Sequence, residues 1–150
     1  MTKLYEANNH ILIDTDMLKP IGHSHMAAHI IVSVNGKIHV TSENAEYELI
    51  GFASGIDFGK FYASIENFAK DNLPIHKNVF FLYTCAMNRS GFTDRIREIA
   101  ASKDAVILGE YGCRGWNTYG PWKAIGGMNK KHPTEREIAE AVRFFESLLA

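Results

Sequence analysis

A chain of 150 residues with 46% hydrophobic content holds one well-packed core and is short for two. Its formal net charge of −1 and 22% charged residues exclude an extended basic nucleic-acid surface and an acidic solvating tail. No apolar run approaches the ~20 residues that cross a bilayer, Met1–Asn9 lacks the apolar centre of a secretory signal, and two cysteines, Cys85 and Cys113, fit a reducing compartment, so a cytoplasmic protein is expected.

In chain order, His10-Ile-Leu-Ile-Asp14 reads as a short strand, and Met17–Met26 is a polar, Pro/Gly-broken stretch carrying His23 and His25. Ala28–Val34 and Lys37–Thr41 flank Asn35-Gly36. Both flanks are β-branched and Asn-Gly supplies the positive φ angles of a type I′ turn, which predicts a β-hairpin. From Tyr47 the pattern changes to continuous apolar strands alternating with amphipathic helices. Leu49–Phe52 is a buried strand, followed by a Ser/Gly-rich loop, Ser54–Gly59. A helix over Gly59–Asn72 places Phe61, Ile65 and Phe68 on one stripe, and Pro74 ends it.

The second buried strand is Val79–Tyr83, and Phe92, Ile96 and Ile99 mark the next helix. Ala105–Leu108 is the third strand. Tyr111–His132 is a long aromatic and glycine-rich excursion of the kind that is usually functional or mobile. Thr134 and Glu137 form a capping box for a last helix whose inner face is Ile138, Val142, Phe145 and Leu149. Strands alternating with helices imply an α/β fold with a mostly parallel sheet and right-handed crossovers. Such a sheet presents its binding loops at the carboxyl ends of the strands.

The wording of three segments carries a resemblance. Glu46–Phe61 resembles the third-strand segment of flavodoxin-like proteins, Val79–Met87 their fourth strand and its loop, and Gly109–Trp122 with Lys131–Thr134 their fifth-strand region. It covers a flavodoxin-like domain over 46–150. The resemblance implies FMN as cofactor and electron transfer to a redox partner protein. It places the ring of the flavin between Ser54, Gly55, Ile56, Phe58 and Gly59 on one side and Thr84, Cys85, Ala86 and Asn88 on the other. The family's phosphate loop is replaced here by Asp14-Thr-Asp16, whose carboxylates repel a phosphate.

Residues 1–45 read as an atypical β segment. His23, His25 and His29, followed by Gly36, are similar to the first motif of cupin barrels and to the sensory-domain start of arabinose-type regulators. That resemblance implies a divalent metal on the three imidazoles; a polar loop leading into a strand is the plainer alternative. Either His10–Asp14 or Ile30–Val34 suits the gap that a missing first strand leaves at the sheet. For Cys85 and Cys113 a redox pair stands against inert reduced thiols. Tyr111, Trp116, Tyr119 and Trp122 form either a lid and partner-docking surface or a satellite cluster. The functional expectation is an FMN-binding electron-transfer protein. Its alternatives are a cofactor-free scaffold, including a homodimer of the kind that an exposed sheet edge invites, or a small metal sensor.

Overall fold

Asn78-Val-Phe-Phe-Leu-Tyr-Thr-Cys85 is apolar at successive positions, so a strand made of it must be covered on both faces. The computed structural model describes residues 3–6, 11–14, 28–32, 49–118 and 120–149, the first three segments as backbone strands only. In it this segment is the inner strand of a mixed, mostly parallel α/β sheet. In chain order the elements are β1 (Lys3–Glu6), β2 (Ile11–Asp14), β3 (Ala28–Val32), β4 (Leu49–Asp57), β5 (Lys60–Phe61), α1 (Ala63–Asn72), β6 (Asn78–Cys85), α2 (Asp94–Ala101), β7 (Val106–Arg114) and α3 (Glu135–Ser147).

The strand order is β1-β2-β3-β4-β6-β7, with β5 paired only to β4. β1 and β2 form an antiparallel hairpin, and β2 meets β3 antiparallel. β3, β4, β6 and β7 then run parallel, with Ala28 opposite Leu49, Leu49 opposite Asn78, and Asn78 opposite Val106. Successive parallel strands step in one direction, so right-handed crossovers put α1 and α2 on the same face.

Alternation along the strands feeds two cores. Ile50, Phe52, Val79 and Phe81 point toward α1 and α2, where they pack with Phe61, Ile65, Ala69, Ile96 and Ala100. Leu49 and Phe80 point the other way, against Phe144, Phe145, Leu148 and Leu149 of the α3 region. Phe80 is fully buried, and its ring lies over Gly51 so closely that a side chain there would collide with it. Glu110 ties α2 to β7: its carboxylate accepts the Thr93 hydroxyl at 2.6 Å and the Arg97 guanidinium at 2.8 Å.

Several boundaries depart from the sequence reading, and each has a local cause. β4 does not stop at Phe52 but runs to Asp57, because β5 gives its far end a partner. The reversal is a two-residue turn at Phe58 and Gly59, both with positive φ (47° and 83°), as a type I′ turn requires. α1 therefore starts at Ala63 rather than Gly59, and Phe61 is buried from a strand instead of a helix. β6 extends through Thr84 and Cys85, beyond the Val79–Tyr83 strand expected from the sequence. Phe92 is buried just before α2 begins.

β7 continues through Arg114, so the aromatic excursion begins inside a strand. The rest of it is closed by a bridge between Asn117 and Met128 around a 3-10 turn, Gly120–Ile125. Ile138 and Val142, expected on the inner face of α3, are 52% and 51% exposed; only its carboxyl-terminal end packs on the sheet. β3 is the strand beside β4, and the turn and second arm of the expected hairpin lie outside the described residues. No described helix is long and apolar enough to cross a membrane.

Phe80→Ala is expected to destabilise the protein by about 3–5 kcal/mol in urea unfolding, since it empties the second core. A loss below about 1 kcal/mol would contradict the packing of α3 on Phe80. A second test concerns Glu66, which is 3% exposed between the two helices on the other face. Its Oε2 meets Arg95 Nε at 3.0 Å, and its Oε1 has no hydrogen-bond partner among the described residues. Burial raises its pKa above 4.5, against the opposing pull of Arg95 and Lys60. The folded state thus holds this proton more tightly, and stability falls as pH rises from 4.5 through the raised value. Glu66→Gln should lack that decline; parallel stability–pH curves for the two proteins would refute it.

Candidate functional site

Residues that share a register in parallel strands share a face. On the α3 side, Ala53, Leu82 and Tyr111 form one cross-strand row, and Gly55, Thr84 and Cys113 form the next. These two rows, at the carboxyl ends of β4, β6 and β7, are the floor of a cleft of about 550 Å³. Its walls are Tyr62 and Trp116 together with Pro133, Glu137, Ile138 and Ala141 at the start of α3. The cleft exists because the apolar packing of α3 on the sheet is confined to its carboxyl-terminal end, while its first turns, hydrogen-bonded to Tyr111 of β7, form one wall.

The walls are fixed by hydrogen bonds that the chain makes with itself. Ser54 Oγ accepts the Tyr62 N–H at 3.0 Å and donates to Gly55 O at 2.7 Å, pinning the β4–β5 hairpin to the start of α1. A Cβ at Gly55 would come within 3.1 Å of the Tyr62 ring, so the glycine keeps that part of the floor open. Tyr111 stacks on Phe144 and donates its hydroxyl to Glu137 O at 2.8 Å. Asn129 donates to Ala86 O at 2.7 Å, which ties the aromatic excursion to the end of β6. Trp116 Nε1 donates to Gly126 O at 3.4 Å.

At the α3 end, Thr134 Oγ1 accepts the Glu137 N–H at 3.2 Å, while the Glu137 carboxylate accepts the Thr134 N–H at 2.6 Å. This is the capping box expected from the sequence. His132 Nδ1 lies 2.8 Å from the same carboxylate. The Thr134 backbone bond first, then His132 and the Thr134 hydroxyl, hold the Glu137 pKa down to about 2. The other titratable groups of the cleft are held neutral. Burial raises the pKa of Cys113, and Glu137 adds to it; burial likewise raises Tyr111 and Tyr83.

Of the residues that the flavodoxin resemblance implies, Ser54, Gly55 and Thr84 line the cleft. Ile56 lies further along β4, Phe58 is 82% exposed at the tip of the turn, and Gly59 completes that turn. Cys85 is buried; its thiol faces Asn88 Oδ1 at 3.8 Å and Cys113 O at 3.5 Å. Ala86 offers its carbonyl to Asn129.

Cys85 and Cys113 are both free thiols, and strand alternation sends them to opposite faces of the sheet. Burial also raises the Cys85 pKa, so neither is an activated thiolate. Among the aromatics of the excursion, Tyr111 and Trp116 line the cleft and Trp122 stands 39% exposed outside it, while Tyr119 lies outside the described residues. His23 and His25 also lie outside them, and of His29 only its place in β3 is described.

The sequence reading missed Tyr62, Leu82, Glu137 and Ala141 as cleft residues. A period-two signal for Leu82 was present, since it sits two positions before Thr84; the α3 residues had no local signal because their position depends on the helix docking.

The cap of α3 contributes stability above pH 4.5, the unperturbed carboxyl value, and loses it as pH falls toward about 2. Carboxyl titration by NMR should place the Glu137 midpoint at about 2, and Thr134→Ala, which removes the hydroxyl and keeps the backbone N–H, should raise it only part of the way toward 4.5. A midpoint near 4.5 in the unaltered protein would contradict the capping geometry.

No family model matches the chain. It is similar to Uncharacterized protein MJ0298 of Methanocaldococcus jannaschii, with 42% identity over 105 residues, 69% of this chain and 70% of that protein. At that identity and coverage, the chain belongs to the same family as MJ0298.

Proposed function

We propose that the cleft holds the ring of a flavin, with FMN the form that the flavodoxin resemblance implies, and that the protein passes electrons to a redox partner protein. The observation that carries this reading is the pair of cross-strand rows, Ala53–Leu82–Tyr111 and Gly55–Thr84–Cys113, roofed by aromatic walls at the carboxyl ends of three parallel strands. A cleft of about 550 Å³ lies in the range that small-molecule sites occupy. The parallel run β3-β4-β6-β7, with α1 and α2 on one face and α3 on the other, supports a flavodoxin-like fold as the finer description.

The residues present fit a planar heteroaromatic ring. Gly55 leaves open the space that a Cβ would fill, and Tyr62, Tyr111 and Trp116 provide π surfaces. Thr84 supplies a hydroxyl at the floor. A bound flavin supplies one-electron or two-electron transfer, so the protein needs no nucleophile or general acid of its own. What the chain contributes is orientation, exclusion of water from the ring faces, and a fixed local charge. Phe58 and Trp122, exposed near the same end of the sheet, offer apolar surface to a partner.

A cofactor-free interaction module is the second reading. It is favoured by Val106 and Leu108, 56% and 39% exposed on β7, the terminal strand among those described. A β-bulge at Leu108, between the Val79–Ile107 and Phe80–Gly109 pairs, is one way such an edge resists pairing.

Titration with FMN should quench the flavin fluorescence to saturation. Trp116→Ala should weaken binding about fivefold, as expected for loss of one aromatic contact. Gly55→Val should abolish quenching by filling the floor. Unquenched fluorescence at high micromolar protein would refute the flavin reading and leave the interaction module.

A further inference from the structure

We infer that Glu137 makes the cleft select its ligand by charge, so that an uncharged flavin, riboflavin, is held more tightly than its phosphorylated form. This rests on the flavin reading of the cleft and deepens it. Glu137 is the one charged side chain among the described residues that line the cleft; the others are apolar, aromatic, hydroxyl or thiol groups. Its carboxylate is locked in place by the Thr134 N–H at 2.6 Å, the Thr134 hydroxyl at 2.9 Å and His132 Nδ1 at 2.8 Å, so it cannot swing out to solvent when a ligand enters.

The same contacts reduce a feature that would favour an anion. Pro133, Glu137 and Ile138 bring the amino-terminal end of α3 to the cleft wall, where free backbone N–H groups would attract a phosphate. In this chain the Thr134 and Glu137 N–H groups are already taken within the capping box. A negative charge therefore occupies the position of a helix-end anion site. Its field is felt across the floor, where Glu137 adds to burial in keeping the Cys113 thiol and the Tyr111 hydroxyl protonated. A phosphate monoester brings about −1.5 to −2 further charge at neutral pH, which the fixed carboxylate of this wall repels.

The probes are riboflavin and FMN, titrated separately with fluorescence quenching as the readout at low ionic strength. The unaltered protein should hold riboflavin about tenfold more tightly than FMN. Glu137→Gln removes the charge and keeps a residue that serves the capping box, so α3 should remain helical by circular dichroism. In that variant the ratio of FMN to riboflavin dissociation constants should shrink severalfold, because FMN gains more than riboflavin from losing the charge. If the variant does not fold, the salt dependence of the unaltered protein answers the same question. Raising ionic strength should narrow the riboflavin preference by screening.

Tighter binding of FMN than of riboflavin, or a ratio unmoved by both Glu137→Gln and salt, would overturn the inference while leaving the flavin reading intact. Quenching of neither flavin would overturn the flavin reading and this inference with it.

Discussion

The parallel registration of β4, β6 and β7 is the constraint on which the rest of the molecule depends. Leu49 opposite Asn78 and Asn78 opposite Val106 fix which side chains share a face, and a shift of one residue would exchange the two faces. In the observed register Phe52 and Phe81 lie together under α1 and α2, with Phe61 edge-on to Phe81. Phe80 fills the opposite face, tilted against Phe145 and lying over Gly51. Burying a phenylalanine fully is worth about 1.5–3 kcal/mol. Exchanging the faces would forfeit several such contributions and drive the Phe80 ring into the α1 side, where Gly51 offers no matching hollow.

The same register creates the cleft. Small residues at Ala53 and Gly55 continue the line that Gly51 begins, and beyond Phe80 the β6 residues beside them carry no ring on this face. Leu82 and Thr84 complete the two rows, and the second turn of α3 stands to one side. The two faces thus differ in kind: one is closed by two short helices, and the other is closed at the amino ends of the strands and open at their carboxyl ends. This asymmetry puts Ile138 into the wall of a cleft rather than into the core, although its helical spacing relative to Phe145 is that of a single stripe.

Polar groups inside this framework are arranged to hold position. Glu66 is buried between α1 and α2 with Arg95 as its counter-ion, a pairing whose desolvation offsets much of its Coulomb attraction. Its value lies in fixing one helix against the other. Glu110, Thr93 and Arg97 do the same for α2 and β7 at the exposed edge. Glu137 serves two ends at once, as the cap of α3 and as the fixed charge of the cleft wall.

What the sequence determined by itself is what depends on local periodicity and local chemistry. The continuous apolar runs around Leu49 and Val79 specified strands covered on both faces, the Ile65 and Ile96 stripes specified helices, and Thr134 with Glu137 specified the start of α3. The ends of elements were less legible. β4 is nine residues long because β6 pairs with it as far as Gly55 and β5 with Ile56 and Asp57, and nothing within Ser54–Asp57 reveals the second partner. The cleft floor could be read only in part, since Gly55 and Thr84 stand where loops are expected after two recognisable strands. Their joining to Tyr111, Cys113 and Glu137 was decided by tertiary structure alone, because it depends on the register across three strands and on where α3 comes to rest. Periodicity assigns a residue to a face of its own element; only the packing of that face against another decides whether it becomes core, cleft or surface.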